Sequence, residues 1–182
     1  FAERYRDAAD IFDQVHAEYL KLGMPLDAAR VGMSHVWALA YTGQFARALE
    51  MAAEAEPVLS AAAQSDPADR RRLGGLLNNV GIAYDLLGQY EEALAAYDRK
   101  LEIARGLGRE LDVARAQHNR ACVLDYLNLF DEALAAFGAA EAGFLETGVT
   151  ADLARLACNR GTLYARCKRY EEAEVEFAAA DE

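Results

Sequence analysis

Arginine and asparagine stand four residues apart at Arg115 and Asn119, in "RAQHN", and again forty residues on at Arg155 and Asn159, in "RLACN". A spacing of four places both side chains on one face of a helix. An asparagine amide can pair with the C=O and N–H of an extended peptide without reading its side chains. Arginine adds a planar fork that suits a carboxylate. Asparagine competes with the backbone for hydrogen bonds and is a poor helix-interior residue, so its recurrence asks for a polar role. The pattern continues in part at Asn79, with Gly75 in the arginine place, and at Ser34, with Arg30 four residues before it. Asn78, His118 and Cys158 lie one residue earlier, and Trp37, Ile82, Cys122 and Thr162 three residues later. Asp85 and Asp125, six residues later, offer carboxylates to a basic residue of a ligand. The same residues also suit a purely structural role, with the amides bridging neighbouring helices and Arg115 and Arg155 pairing with Asp112 and Asp152. Residue types alone leave both open.

Other chemistry is thinly supported. His118 and Cys122 are four apart and Cys158 lies forty beyond His118, so a thiol nucleophile with a histidine base is conceivable. It lacks an orienting group, an oxyanion loop and a glycine-rich elbow, and zinc ligands normally stand closer together. His16 and His35 read as helix-surface or packing residues, and Trp37 fits core or groove equally. "LGRELD" and "LGGLLNN" lack the strand, lysine and hydroxyl of a nucleotide loop. No enzyme activity, metal or cofactor is therefore expected. Three cysteines form no CxxC pair, which suits reduced thiols. A net charge of −11 argues against nonspecific nucleic-acid binding, which needs positive charge to displace counterions. No apolar run approaches a membrane span and "FAERYRD" lacks a signal pattern, so a soluble, cytoplasmic chain is expected, with no membrane partner. The start at Phe1 and the stop within a helical pattern suggest a fragment of a larger protein. Its terminal helices would then expose apolar faces through which copies could self-associate.

The elements that must carry these residues emerge from periodicity. Ala8, Ala48, Ala93, Ala133 and Ala173 are separated by 40, 45, 40 and 40 residues. Three residues before each stands Tyr5, Phe45, Tyr90, Phe130 or Tyr170; four residues after stands Phe12, Tyr97, Phe137 or Phe177, with Ala52 the exception. Spacings of three, four and seven predict amphipathic "second" helices. Val36, Gly81, Ala121 and Gly161, twelve residues upstream, mark "first" helices whose small residues permit close antiparallel approach. Gly43, Gly88 and Asn128 suit left-handed turns between paired helices, Lys168 less comfortably. Acidic pairs such as Glu91 and Glu92 suit the first turn of each second helix. Gly108 and Gly148 close second helices, Thr150 reads as a cap, and Asp66 caps a helix beginning at Pro67. The five extra residues near Pro57 to Pro67 predict a longer or kinked second helix or a wider loop.

"GIAYDLLGQYEEALAAY" (81–97) and "GTLYARCKRYEEAEVEF" (161–177) resemble the tetratricopeptide repeat family. The forty-residue unit is the longer variety, similar to repeats of the Leu-Gly-Asn repeat-enriched scaffold, kinesin light chain and bacterial regulators. The resemblance implies an all-α, right-handed superhelical solenoid of antiparallel helix pairs. It would form one array: a leading second helix at 2–22 and pairs at 25–64, 67–107, 109–147 and 150–182. It also implies that first helices line a concave groove, and that Arg115 with Asn119 and Arg155 with Asn159 hold an extended, acidic peptide of a protein partner. An alternative is a sensor or regulatory arm of a larger bacterial signalling, transcriptional or protease protein.

Overall fold

The computed structural model describes residues 2–180, and among these every regular element is an α-helix. In chain order they are α1 (Ala2–Lys21), α2 (Pro25–Tyr41), α3 (Phe45–Ala62), α4 (Pro67–Leu87), α5 (Tyr90–Gly106), α6 (Glu110–Tyr126), α7 (Phe130–Thr147), α8 (Thr150–Arg166) and α9 (Tyr170–Ala180). Short loops join consecutive helices, and within each unit they fold back on one another as antiparallel neighbours, α1 to α4 in one and α6 to α9 in the other. None of these helices is long and apolar enough to cross a membrane.

The chain divides into two compact units, Phe1–Ile103 and Ala104–Glu182, with the boundary inside α5. In the first unit α2 packs on α1 and α3, and α4 packs on α2 and α3. Val36, Leu39, Leu59, Leu76 and Leu77 fill its core. In the second unit α6 packs on α7 and α8, and α8 on α7 and α9, around Val123, Phe137, Phe144, Leu156 and Leu163.

The small residues sit where helices approach. Ala48, Ala93, Ala133 and Ala173 are all buried. In α1 the buried alanine is Ala9, while Ala8 is only half-buried, so that helix meets its neighbour one residue out of the repeat register. A Cβ on Gly81 would lie 2.5 Å from Cε1 of Tyr97, and one on Gly161 would lie 2.8 Å from Cε1 of Phe177. Each ring lies directly over the glycine of its partner helix. Tyr97 is 2% exposed and cannot retreat, whereas Phe177 is 42% exposed and can swing outward. Gly81→Ala is accordingly expected to destabilise by roughly 1–3 kcal/mol through overpacking. Gly161→Ala should be close to neutral, because alanine's better helix propensity, about 1 kcal/mol, offsets a cheap ring movement. Urea unfolding of the two variants checks the contrast.

Turn chemistry follows the sequence closely. Gly43, Gly88, Asn128 and Lys168 have φ of 77, 78, 60 and 60°. Lys168 holds a left-handed conformation that costs an L-residue about 1–2 kcal/mol. Asp66 caps α4 by accepting from the backbone N–H of Ala68 at 2.8 Å, with Pro67 opening the helix. Two expectations are corrected. Thr150 is the first residue of α8 rather than its cap, a place taken by Val149. Of the five extra residues, four lengthen α4 to 21 residues, against 17 in α2, α6 and α8; α3 runs unbroken across Pro57, and the loop after it, 63–66, is wider than those at 107–109 and 148–149. The strong Asp66–Pro67 start signal places that added turn at the front of the first helix.

Several apolar side chains stay exposed on the first and last helices of the chain. These are Ile11, Val15 and Leu22 in and just after α1, and Tyr170, Val175 and Phe177 in α9. Phe137 and Tyr97, at the repeat position of Phe177, are 1% and 2% exposed.

Candidate functional site

In the second unit the first helices α6 and α8 lie side by side, and Asp152 in the opening turn of α8 organises the arginines. A carboxylate suits that place because the helix N-terminus is electropositive. Asp152 is 7% exposed. Arg115 Nε donates to its Oδ2 at 2.9 Å, and Arg155 Nη2 donates to its Oδ1 at 2.7 Å. One carboxylate thus serves two guanidinium groups, leaving a local excess of one positive charge. Both arginine side chains are about half exposed, 44% for Arg115 and 54% for Arg155. A guanidinium carries five N–H donors, so donors remain directed at solvent after Asp152 is satisfied. Asp112, the other nearby acid, pairs instead with Arg109.

Behind the arginines lies a buried polar chain. His118 is 3% exposed, edge-on to Phe137 with centroids 5.8 Å apart and tilted against Phe144 at 6.3 Å. Asn159 Nδ2 lies 3.1 Å from His118 Nε2 and 3.3 Å from Cys122 Sγ. With Nε2 accepting, the ring is the Nδ1–H tautomer and donates toward Asn119 Oδ1 at 3.4 Å. Burial, and then the positive charge of Arg155, push the imidazole from 6.5 down to about 4. The ring is therefore neutral near pH 7. At the far end of α6, Asp125 receives Arg166 Nη1 of α8 at 2.6 Å, and Arg166 Nη2 donates to Asn128 Oδ1 at 3.1 Å.

The first unit handles the same positions differently. Arg30 donates through Nε and Nη2 to the two oxygens of Asp69 at 2.9 and 2.8 Å, and through Nη1 to Asp27 at 3.0 Å. Arg72 also donates to Asp69, at 2.9 Å. Asp69 is 2% exposed, and the Arg30 guanidinium holds its carboxyl below the usual range. Two arginines face two aspartates here, so the cluster is neutral. Asn79 Nδ2 donates to the backbone oxygen of Met33 in α2 at 2.8 Å. Asn78 accepts from the buried Lys100 Nζ of α5 at 2.7 Å and donates to Asn79 Oδ1 at 3.3 Å. At Gly75 a Cβ would lie 2.8 Å from the sulfur of Met33, so the sulfur crowds the arginine position of this repeat. Ser34 and Asp85 are half-buried on α2 and α4. Trp37 joins an aromatic cluster with Tyr5, at 4.9 Å, and Tyr41, at 5.4 Å. His35 is fully buried, with neither ring nitrogen hydrogen-bonded; its Nε2 lies 3.5 Å from Asp13 Oδ1.

The structure therefore brings together Arg115, His118, Asn119, Arg155 and Asn159, and places Arg30, Asn78 and Asn79 in contacts of the first unit. Asp69, Lys100 and Arg166 were not anticipated. A carboxylate one repeat beyond each arginine was the available signal for Asp69; for Lys100 the sequence offers none. Asp152→Asn should destabilise the fold by roughly 2 kcal/mol, because it leaves two guanidinium groups facing each other. Asp112→Asn should stay within about 0.5 kcal/mol. Urea unfolding separates the two.

Fold and site together define a tetratricopeptide-repeat-like, all-helical repeat protein. The tetratricopeptide repeat family model matches residues 72–146. Among solved structures, the chain is similar to aspartyl phosphate phosphatase F from Bacillus subtilis, with a TM-score of 0.81 and 15% identity over 94% of this chain and 44% of that one. It is also similar to the apo form of RapI, with a TM-score of 0.80 and 15% identity over 98% and 48% of the two chains. BtubC from P. vanneervenii gives 0.72 and 20% identity over 98% and 70%. The chain thus spans less than half the length of the first and of RapI. No curated protein matches it in sequence.

Proposed function

We propose that this chain is a non-catalytic, partner-binding segment of a larger bacterial regulatory protein. Its first-helix wall in residues 104–182 would take an extended, acidic stretch of a protein partner. What supports the regulatory reading over a freestanding scaffold is the fold shared with the Bacillus phosphatase and with RapI, each about twice as long as this chain. What supports the binding chemistry is one observation: Arg115 and Arg155 share a single buried carboxylate and keep half their surface in water. A carboxylate arriving from a partner meets donors that are already positioned and a charge that is not fully neutralised. Asn119 and Asn159 lie on the same helices, one turn further on, as the proposed contacts to the partner's backbone. Considered by itself, the first unit carries Ser34, Asn78 and Asn79 at the corresponding positions of its own first helices as proposed contacts, while Arg30 is already held by Asp27 and Asp69.

Selection of random displayed dodecamer peptides on the whole chain tests the reading. Enrichment of acidic peptides that are lost on an Arg115→Ala, Arg155→Ala variant is expected. Enrichment indifferent to those two residues would overturn it.

A further inference from the structure

We infer that Asn159 accepts one backbone N–H of the bound segment through Oδ1 and offers it no donor, with His118 as the positioning residue that fixes this orientation. The consequence is a specificity rule: the residue of the segment lying on Asn159 is not a proline. The inference rests on the proposed peptide-binding reading, concerns residues 104–182 alone, and adds the polarity of one contact.

An asparagine amide in a groove ordinarily serves a peptide's C=O and N–H alike, and turning the amide over exchanges the two roles. At Asn159 that freedom is removed. Nδ2 carries two hydrogens, and two acceptors of α6 stand against it: His118 Nε2 at 3.1 Å and Cys122 Sγ at 3.3 Å. Both hydrogens are spent inside the α6–α8 seam. Oδ1 receives no hydrogen bond from any described residue and is not sealed from solvent. Its neighbours on that face of α8 supply no donor to it. Arg155 Nη2 donates to Asp152, and the Thr162 hydroxyl donates to the backbone oxygen of Cys158 at 2.9 Å.

The opposite orientation is blocked by a relay. With the amide turned over, Oδ1 would face the lone pair of Nε2, and the ring could answer only by moving its proton from Nδ1 to Nε2. That shift would set a bare Nδ1 against Asn119 Oδ1, 3.4 Å away. Opposed acceptors are costly in a seam where His118 is 3% exposed. Nor does the ring escape by taking a second proton, because burial, and then Arg155, push it down to about 4. An acidic segment brings few side-chain donors. Its regular donors are backbone N–H groups, which every residue except proline carries.

The test takes the acidic dodecamer selected on the whole chain and replaces its backbone amides one at a time by esters, which exchange an N–H for an oxygen and keep the side chains. At one position the ester should weaken binding to the wild-type chain roughly tenfold, and that penalty should vanish against Asn159→Ala. Selected peptides should lack proline there. His118→Gln, whose carbonyl can take over as acceptor, should keep the penalty. His118→Leu should shrink it, because the freed amide can turn Nδ2 toward the ester oxygen. Nitrogen NMR of the wild-type chain at pH 7 does not depend on how the variants fold: His118 should carry its proton on Nδ1, with scalar coupling across the hydrogen bond between Nε2 and Asn159 Nδ2. A proton on Nε2, an ester scan in which no penalty depends on Asn159, or a penalty unchanged in His118→Leu overturns the inference and leaves the groove reading standing. If no acidic peptide is selected at all, the groove reading fails and takes the inference with it.

Discussion

Lowering the pH from 6.5 to 4 should remove roughly 3 kcal/mol of folding stability through His118 alone. The unfolded chain exposes this imidazole to water, where it protonates near 6.5. The folded chain encloses it between Phe137 and Phe144 and engages Nε2 as an acceptor from Asn159, so it resists protonation until about 4. Between these values the unfolded state binds the extra proton and is favoured. The contribution is complete above 6.5, declines as pH falls, and is gone below about 4. His35, whose imidazole is also pushed down by burial, acts in the same direction. Denaturant unfolding across this range gives the size of the effect. The His118 ring shifts in NMR give its origin: they should stay those of a neutral imidazole in the folded protein at pH 5.5. A ring that titrates near 6.5 while folded would refute this account of the α6–α8 seam. His118→Gln should flatten the acid limb even where it lowers stability overall.

The second large effect concerns binding. Removing both guanidinium groups, by Arg115→Ala with Arg155→Ala, is expected to weaken an acidic dodecamer about a hundredfold. Each lost charge-assisted hydrogen bond is worth about 1.5–3 kcal/mol, and about 1.4 kcal/mol corresponds to tenfold in affinity. Asp152 complicates the reading, because the double variant leaves it without either arginine. Its carboxylate sits at the helix N-terminus, which eases the loss. Arg115→Lys with Arg155→Lys provides the control. It keeps the charge and removes the planar fork, and should give an intermediate loss. Equal losses in the alanine and lysine variants would point to fork geometry over charge; no loss in either would remove the arginines from the site.

Much of the fold was legible because its determinants are local. Alternating small and aromatic residues at three, four and seven define each helix pair, and Gly43, Gly88 and Asn128 carry the left-handed turns within a few residues of sequence. Asp66 followed by Pro67 marked a helix start on its own. The misses share a different cause. Whether Ala8 or Ala9 faces the core depends on how α1 rolls against α2, and an added turn can lengthen either of two adjoining helices without disturbing the pattern. The site was half legible for the same reason. Arg115, Asn119, Arg155 and Asn159 were visible as a repeated face, but their partners belong to neighbouring helices. Asp152 lies 37 residues from Arg115, and Asp69 lies 39 from Arg30. Only packing decides that two arginines share one carboxylate in residues 104–182, while Arg30 and Arg72 share Asp69 and Arg30 has Asp27 as well.

The most direct test of the central claim is the salt dependence of acidic-dodecamer affinity, measured by fluorescence anisotropy for the wild-type chain and the double alanine variant. Half-exposed charges are screened as ionic strength rises, so the wild-type Kd should climb steadily with salt. The variant's Kd should start about a hundredfold weaker and change little. Wild-type binding that ignores salt, or a variant that retains both the affinity and the salt response, would contradict the claim that Arg115 and Arg155 capture the partner's carboxylates.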